Sequence, residues 1–180
     1  MENRKIITGQ SEMDVWQQVT SDFAAGIPHD YHVNLHFDNR DIRLSVVSSP
    51  GGNEEGGYEY TTIKTNVHAT NDFEFLIQPE DFLNRLGKFF GGQDVVLGYP
   101  EFDKNVLVKT NNPERLKSLF ADEDARQTFI ALSGYSFGVT SKDDDKKVLE
   151  LHIQRIIALE DLKHAFDAFI RALDILNKPV

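Results

Sequence analysis

The chain has 180 residues, 40% of them hydrophobic, with no cysteine and a formal net charge of −10. That length suits one domain spanning 1–180, able to bury about 70% of its unfolded surface without disulfide or metal staples, and the missing cysteine excludes disulfides, thiolate nucleophiles and cysteine-ligated zinc. The acidic balance, with Lys and Arg scattered rather than gathered into a stripe, argues against nucleic acid or an anionic lipid surface as partner.

At the N-terminus, MENRKIITGQSEMDVW has no apolar core of a signal peptide, and no window approaches the ~18 apolar residues of a membrane span. A cytoplasmic protein with no membrane partner is the simplest expectation. Ser11 precedes a helical pattern over 11–25, with Trp16, Val19 and Phe23 on one face and Asp14 placed to meet free N–H groups. The period then falls to two. Tyr31, Val33, Leu35 and Phe37 alternate with His32, Asn34 and His36; Ile42, Leu44 and Val46 alternate with Arg43 and Ser45. Asp38 to Asp41 between them predict a hairpin turn, and SSPGGNEEGG over 48–57 predicts a mobile loop too polar to order itself.

Strands are expected at 58–68 and 72–78, the second with Phe73, Phe75 and Ile77 on one face. Pro79 then starts a helix carrying Phe82, Leu86 and Phe89 at helical spacing, which Gly91-Gly92 ends. Further strands fall near 94–98 and 104–109, a short helix follows Asn112-Pro113, and a helix from Asp122 buries Ala125, Phe129 and Leu132. Two more strands flank SKDDDKK. In the second, Leu149, Leu151 and Ile153 alternate with Glu150, His152 and Gln154. The chain closes on Leu159, Leu162, Phe166, Phe169, Leu173 and Leu176, a wide apolar helical stripe that needs a sheet or a second subunit to cover it. The fold class is therefore α+β: an antiparallel sheet built from hairpins, with helices packed on one face and a long C-terminal amphipathic helix. The helix is expected to cover its own sheet, favouring a monomer over a homodimer.

Three motifs invite chemistry. GYSFG, Gly134 to Gly138, fits the G-x-S-x-G nucleophile elbow with Ser136 as nucleophile, His152 or His164 as base and Asp161 or Asp167 as acid. An elbow requires a strand before the serine and a helix after it, whereas Ser136 follows a helix and lies within a strand, so a serine esterase is only the third reading. HDYHVNLH gathers His29, Asp30, His32 and His36, yet on a strand His32 and His36 stand about 13 Å apart, too far to share an ion bound at about 2 Å. KDDDKK lacks the glycine and glutamate of a calcium loop, and no glycine pair belongs to a dinucleotide or phosphate-binding motif. No catalytic residue, cofactor or metal is expected.

GYPEFDKNVLVKTNNPERLKSLF, from Gly98 to Phe120, combines a turn, an Asp-Lys pair, a strand and a capped helix. Phe102 is expected as an apolar plug, Asp103 as an acceptor for backbone N–H groups, and Val106 with Val108 as the strand's buried face. Asp103 and Lys104, if adjacent on a strand, point to opposite faces and cannot act together. Gly98, Pro100, Glu101, Phe102, Asp103, Lys104, Val106 and Val108 also match a pattern G-x-P-E-F-D-[KR]-x-[FV]-x-V, in which residues 72–132 resemble bacterial domains of unknown function. The resemblance implies the strand and helix order and no catalytic residue. The leading expectation is a non-enzymatic interaction or regulatory domain with a protein partner. Its alternative is a binder of a small apolar ligand held between sheet and C-terminal helix.

Overall fold

In the computed structural model, residues 4–49, 57–67, 72–79, 93–143 and 146–177 are described. Their strands are β1 (Lys5–Thr8), β2 (Asp30–Phe37), β3 (Arg40–Ser49), β4 (Tyr58–Val67), β5 (Phe75–Pro79), β6 (Gln93–Asp94), β7 (Val106–Thr110), β8 (Tyr135–Asp143) and β9 (Lys146–Ile153). The helices are α1 (Glu12–Asp22), α2 (Pro100–Asp103), α3 (Pro113–Leu119), α4 (Glu123–Ala131) and α5 (Leu159–Leu176). The strands form one sheet in the order β1-β2-β3-β4-β9-β8-β5-β7-β6. Every pairing is antiparallel except that of β1 with β2.

Local chemistry explains the elements. Ser11 and Asp14 form a reciprocal capping box that starts α1. Asp38 and Asn39 both take positive φ, 47° and 59°, giving a two-residue turn whose twist suits an antiparallel hairpin; the turn is therefore tighter than the four residues the sequence suggests. Asn112 accepts the Arg115 N–H, capping α3 as expected, and Asp122, where the next helix was expected to begin, accepts the Ala125 N–H and caps α4.

The helices lie on one face of the sheet. Trp16 of α1 meets Phe166 of α5 at 5.1 Å between ring centroids, Phe37 of β2 meets Phe166 at 6.2 Å, and Phe137 of β8 meets Phe169 at 6.3 Å. Phe129 of α4 stacks on Phe137 at 4.7 Å, and Phe120, just after α3, lies 4.8 Å from Phe102 of α2. The stripe of α5 is thus covered by the chain's own sheet, as anticipated.

Several boundaries differ from the sequence reading. β1 was not anticipated: four residues show no decisive periodicity, and Ile7 is buried while Ile6 is exposed. Ser48 and Ser49 continue β3 instead of opening a loop, and Pro79 is the last residue of β5. The expected helix after Pro79, the remaining 50–56 loop and the tip of the KDDDKK turn lie outside the described residues. The strand expected at 94–98 shrinks to Gln93–Asp94. The strand expected from 104 begins only at Val106, because Pro100 to Asp103 make a helical turn.

That turn explains the Gly98–Phe120 stretch. The Asp103 carboxylate accepts the backbone N–H groups of Leu97, Gly98 and Tyr99 at 2.9, 2.8 and 2.8 Å. Gly98 takes φ +88°, a conformation that favours glycine. Arg126 of α4 stacks 4.1 Å over the Tyr99 ring and donates to the Glu101 carboxylate and to the Phe120 and Ala121 carbonyls. Asp103 is therefore a backbone clamp in a one-turn helix, and its separation from Lys104 does not depend on strand alternation. The stretch is a structural joint locking α2 to α4.

Candidate functional site

Register brings some candidate residues together and keeps others apart. On the sheet face away from the helices, β8 places Ser136 directly opposite His152 of β9. His152 Nδ1 lies 3.1 Å from the Thr62 hydroxyl, which takes the position a triad's orienting carboxylate would occupy. His164, Asp161 and Asp167 belong to α5, on the other side of the sheet. Asp167 is engaged there by Lys163, which also reaches Glu12 at 2.9 Å.

Both glycines of GYSFG have backbone reasons. Gly134 takes φ +61°, and a Cβ added at Gly138 would stand 2.3 Å from the Phe75 carbonyl oxygen of β5. A nucleophile elbow is absent, because Ser136 sits within a continuous strand. Ser136 is accordingly expected to resist a fluorophosphonate probe. Labelling of the wild type that disappears in Ser136→Ala would contradict this geometry.

The histidine cluster is also dispersed. His32 Nδ1 lies 3.0 Å from the Ser45 hydroxyl and Nε2 lies 2.8 Å from the Asp30 carboxylate, so both ring nitrogens are engaged. Among the described residues no group of three or more His, Asp or Glu side chains is arranged to hold a metal. His32, Ser45, Thr62, His152 and Ser136 instead form a row in register across five strands. Only strand order brings them side by side, so this row could not be read along the chain.

The helix side holds a different feature. A cavity of about 200 Å³ opens at one end of the sheet, under the C-terminal end of α4. Its apolar wall comes from Pro79, Val106, Phe129, Ile130, Leu132 and Tyr135, with exposed Asn105 and Ser133 at the rim. Pro79 pairs with Val106, but β5 stops pairing with β8 at Ile77. Proline has no N–H to continue a ladder, which leaves the sheet end unclosed among the described residues. No described lining residue carries a charge.

Tyr135 is only 1% exposed, and its ring lies 5.7 Å from that of Phe129. Its hydroxyl is buried without a hydrogen-bond partner. Burial pushes its pKa well above the ordinary tyrosine value, so the phenol is neutral at any physiological pH. An orphaned buried polar group costs about 1–3 kcal/mol, a cost the surrounding core must offset. Tyr135 lies inside the GYSFG motif next to the serine that attracts a motif search. The available signal was its apolar alternation with Phe137 and Val139, which puts a hydroxyl on the buried face.

No family model and no curated protein matches the sequence. One similar solved structure is the crystal structure of the mycobacterial trehalose monomycolate transport factor A, TtfA, with 10% sequence identity and a TM-score of 0.49, covering 93% of this chain and 85% of that chain. At that level the likeness says nothing of ligand or role.

A second concavity, a groove of about 300 Å³ between α4 and α5, is lined by the charged Asp124, Asp167 and Arg171 as well as His164, Ala125 and Ala168, and its arginine is paired with Asp122 at 3.0 Å and Asp124 at 3.7 Å. No helix among the described residues is long and apolar enough to cross a membrane.

Proposed function

We propose that the chain is a non-catalytic binder of a small apolar ligand, held in the cavity beneath α4. The observation that carries this reading is a concavity whose described lining has no charged residue and is walled by Pro79, Val106, Ile130 and Leu132. Ligand sites are typically apolar concavities with a few placed polar groups. The binding reading is placed ahead of the interaction-domain expectation because this concavity offers a small ligand an uncharged lining. A protein partner remains the second reading, favoured by edge strand β1, where Ile6 is 65% exposed beside a strand edge that is unpaired among the described residues. Net charge −10 disfavours nucleic acid in either case, and a cysteine-free chain suits the reducing cytoplasm.

The test is thermal. Ethylbenzene should raise the melting temperature of the wild type, by roughly 2–4 °C for each kcal/mol of binding linkage in a chain of this size. Ile130→Phe, which places a ring in the cavity, should melt cooperatively and show no such rise. An unchanged wild-type melting temperature in ethylbenzene-saturated buffer would contradict the proposal.

A further inference from the structure

The first and last helices meet at an ionic cluster that the ligand reading does not use. We infer that this contact is a proton-sensitive latch: on acidification Glu12 of α1 and Asp167 of α5 take up one shared proton beside the Lys163 ammonium, and α1 is then held more firmly against α5. The latch secures an edge unit, since β1 pairs with β2 alone among the described strands and α1 follows it directly.

Two carboxylates converge here on one ammonium. Lys163 Nζ donates to Glu12 at 2.9 Å and also to Asp167, four residues further along α5, and it stands 5.5 Å from the centre of the Trp16 ring. The three charged side chains are 31–32% exposed, so water screens them only in part. Asp167 is also within hydrogen-bonding reach of Glu12. Two carboxylates that close repel each other when both are ionised, and a single proton between them removes the repulsion. That proton belongs to the pair. Among the described residues, Lys163 and Asp167 are the charged groups that act on Glu12. Asp14, on α1 itself, turns instead to the Gln10 and Ser11 N–H groups.

Burial raises the pKa of Glu12, the hydrogen bond to Asp167 adds to that, and the attraction of Lys163 opposes both without cancelling them. Burial also works against the Lys163 ammonium, but its hydrogen bonds to Asp167 and Glu12 prevail and its pKa is raised. The lysine therefore stays charged while the carboxylates titrate. A carboxyl group whose folded pKa lies above its unfolded value contributes stability that is complete below the unfolded value and is lost as pH rises through the folded one. Acid thus tightens this contact, the reverse of an ordinary salt bridge, in which protonating the carboxylate weakens the pair.

Side-chain ¹³C NMR of the wild-type chain, titrated in pH, gives the Glu12 midpoint directly. It should lie above the ordinary glutamate value and fall in Asp167→Asn, whose amide donates to an ionised Glu12 where the carboxylate repels it. Urea unfolding of wild type and Glu12→Gln across the same pH range reads the linkage, because the other titrating groups cancel in the difference. Wild type should gain stability relative to Glu12→Gln as pH falls through that midpoint. A Glu12 midpoint at or below the ordinary glutamate value, or a stability difference that does not vary with pH, would overturn the latch. A raised midpoint that is unchanged in Asp167→Asn would leave burial as its cause and overturn the shared proton. Should Glu12→Gln fail to fold, the wild-type midpoint and its response to Asp167→Asn decide the matter.

Discussion

Phe166→Ala should destabilise the protein by about 3–5 kcal/mol, the usual range for removing a fully buried phenylalanine. Phe166 is fully buried where α5 meets α1 and β2, with Trp16 and Phe37 at 5.1 and 6.2 Å. Those neighbours belong to separate elements fixed by their own hydrogen bonds, so they cannot collapse freely into the vacated space and much of the cavity persists. The melting temperature should fall by roughly 6–20 °C, from about 2–4 °C per kcal/mol in a chain of this size. The fall should not depend on protein concentration, because the residue's partners lie within the same chain. Sedimentation across a wide concentration range checks this. A wild-type dimer that becomes a folded monomer in the variant would show that α5 also serves as a subunit interface.

The second large effect is expected at Gly138. A single methyl there would press on the Phe75 carbonyl oxygen at 2.3 Å and approach the Leu76 Cα at 3.1 Å. Both are backbone atoms of the adjoining strand and cannot swing aside as a side chain can. Gly138→Ala must therefore push β5 from β8 at a pairing that spans only Phe75 to Ile77. A loss of about 3 kcal/mol or more is expected, at or above the upper end for overpacking. Gly134→Ala provides the contrast. Its methyl would meet nothing closer than the Gln154 Cβ at 4.0 Å, leaving only the left-handed backbone penalty of about 1–2 kcal/mol. Urea unfolding of the two variants should rank Gly138→Ala as clearly worse, and equal losses would refute the close-approach account.

The contrast between these glycines shows where sequence reasoning succeeds and where it stops. Period-two alternation placed Tyr31 to Phe37 and Leu149 to Ile153 correctly, because one covered sheet face demands it. Caps at Ser11, Asn112 and Asp122 were legible because the side chain and the N–H it satisfies lie three residues apart. Asp103 was legible as a backbone acceptor for the same reason of locality. Strand order was not. Nothing along the chain says that β9 inserts between β4 and β8, so neither the row from His32 to Ser136 nor the approach of β5 to Gly138 was visible. The cavity was hidden for a related reason: it arises where Pro79, Val106 and Tyr135, distant in sequence, end three adjacent strands beneath α4.

Intermolecular nuclear Overhauser effects from bound ethylbenzene to the protein, recorded with methyl-labelled samples, locate the ligand directly. Contacts from its ring protons to the methyl groups of Val106, Ile130 and Leu132, lost in Ile130→Phe, are the expected result. Contacts confined to surface methyl groups, or none at all under conditions where the protein is folded and the compound saturating, would contradict the assignment of this cavity as the ligand site.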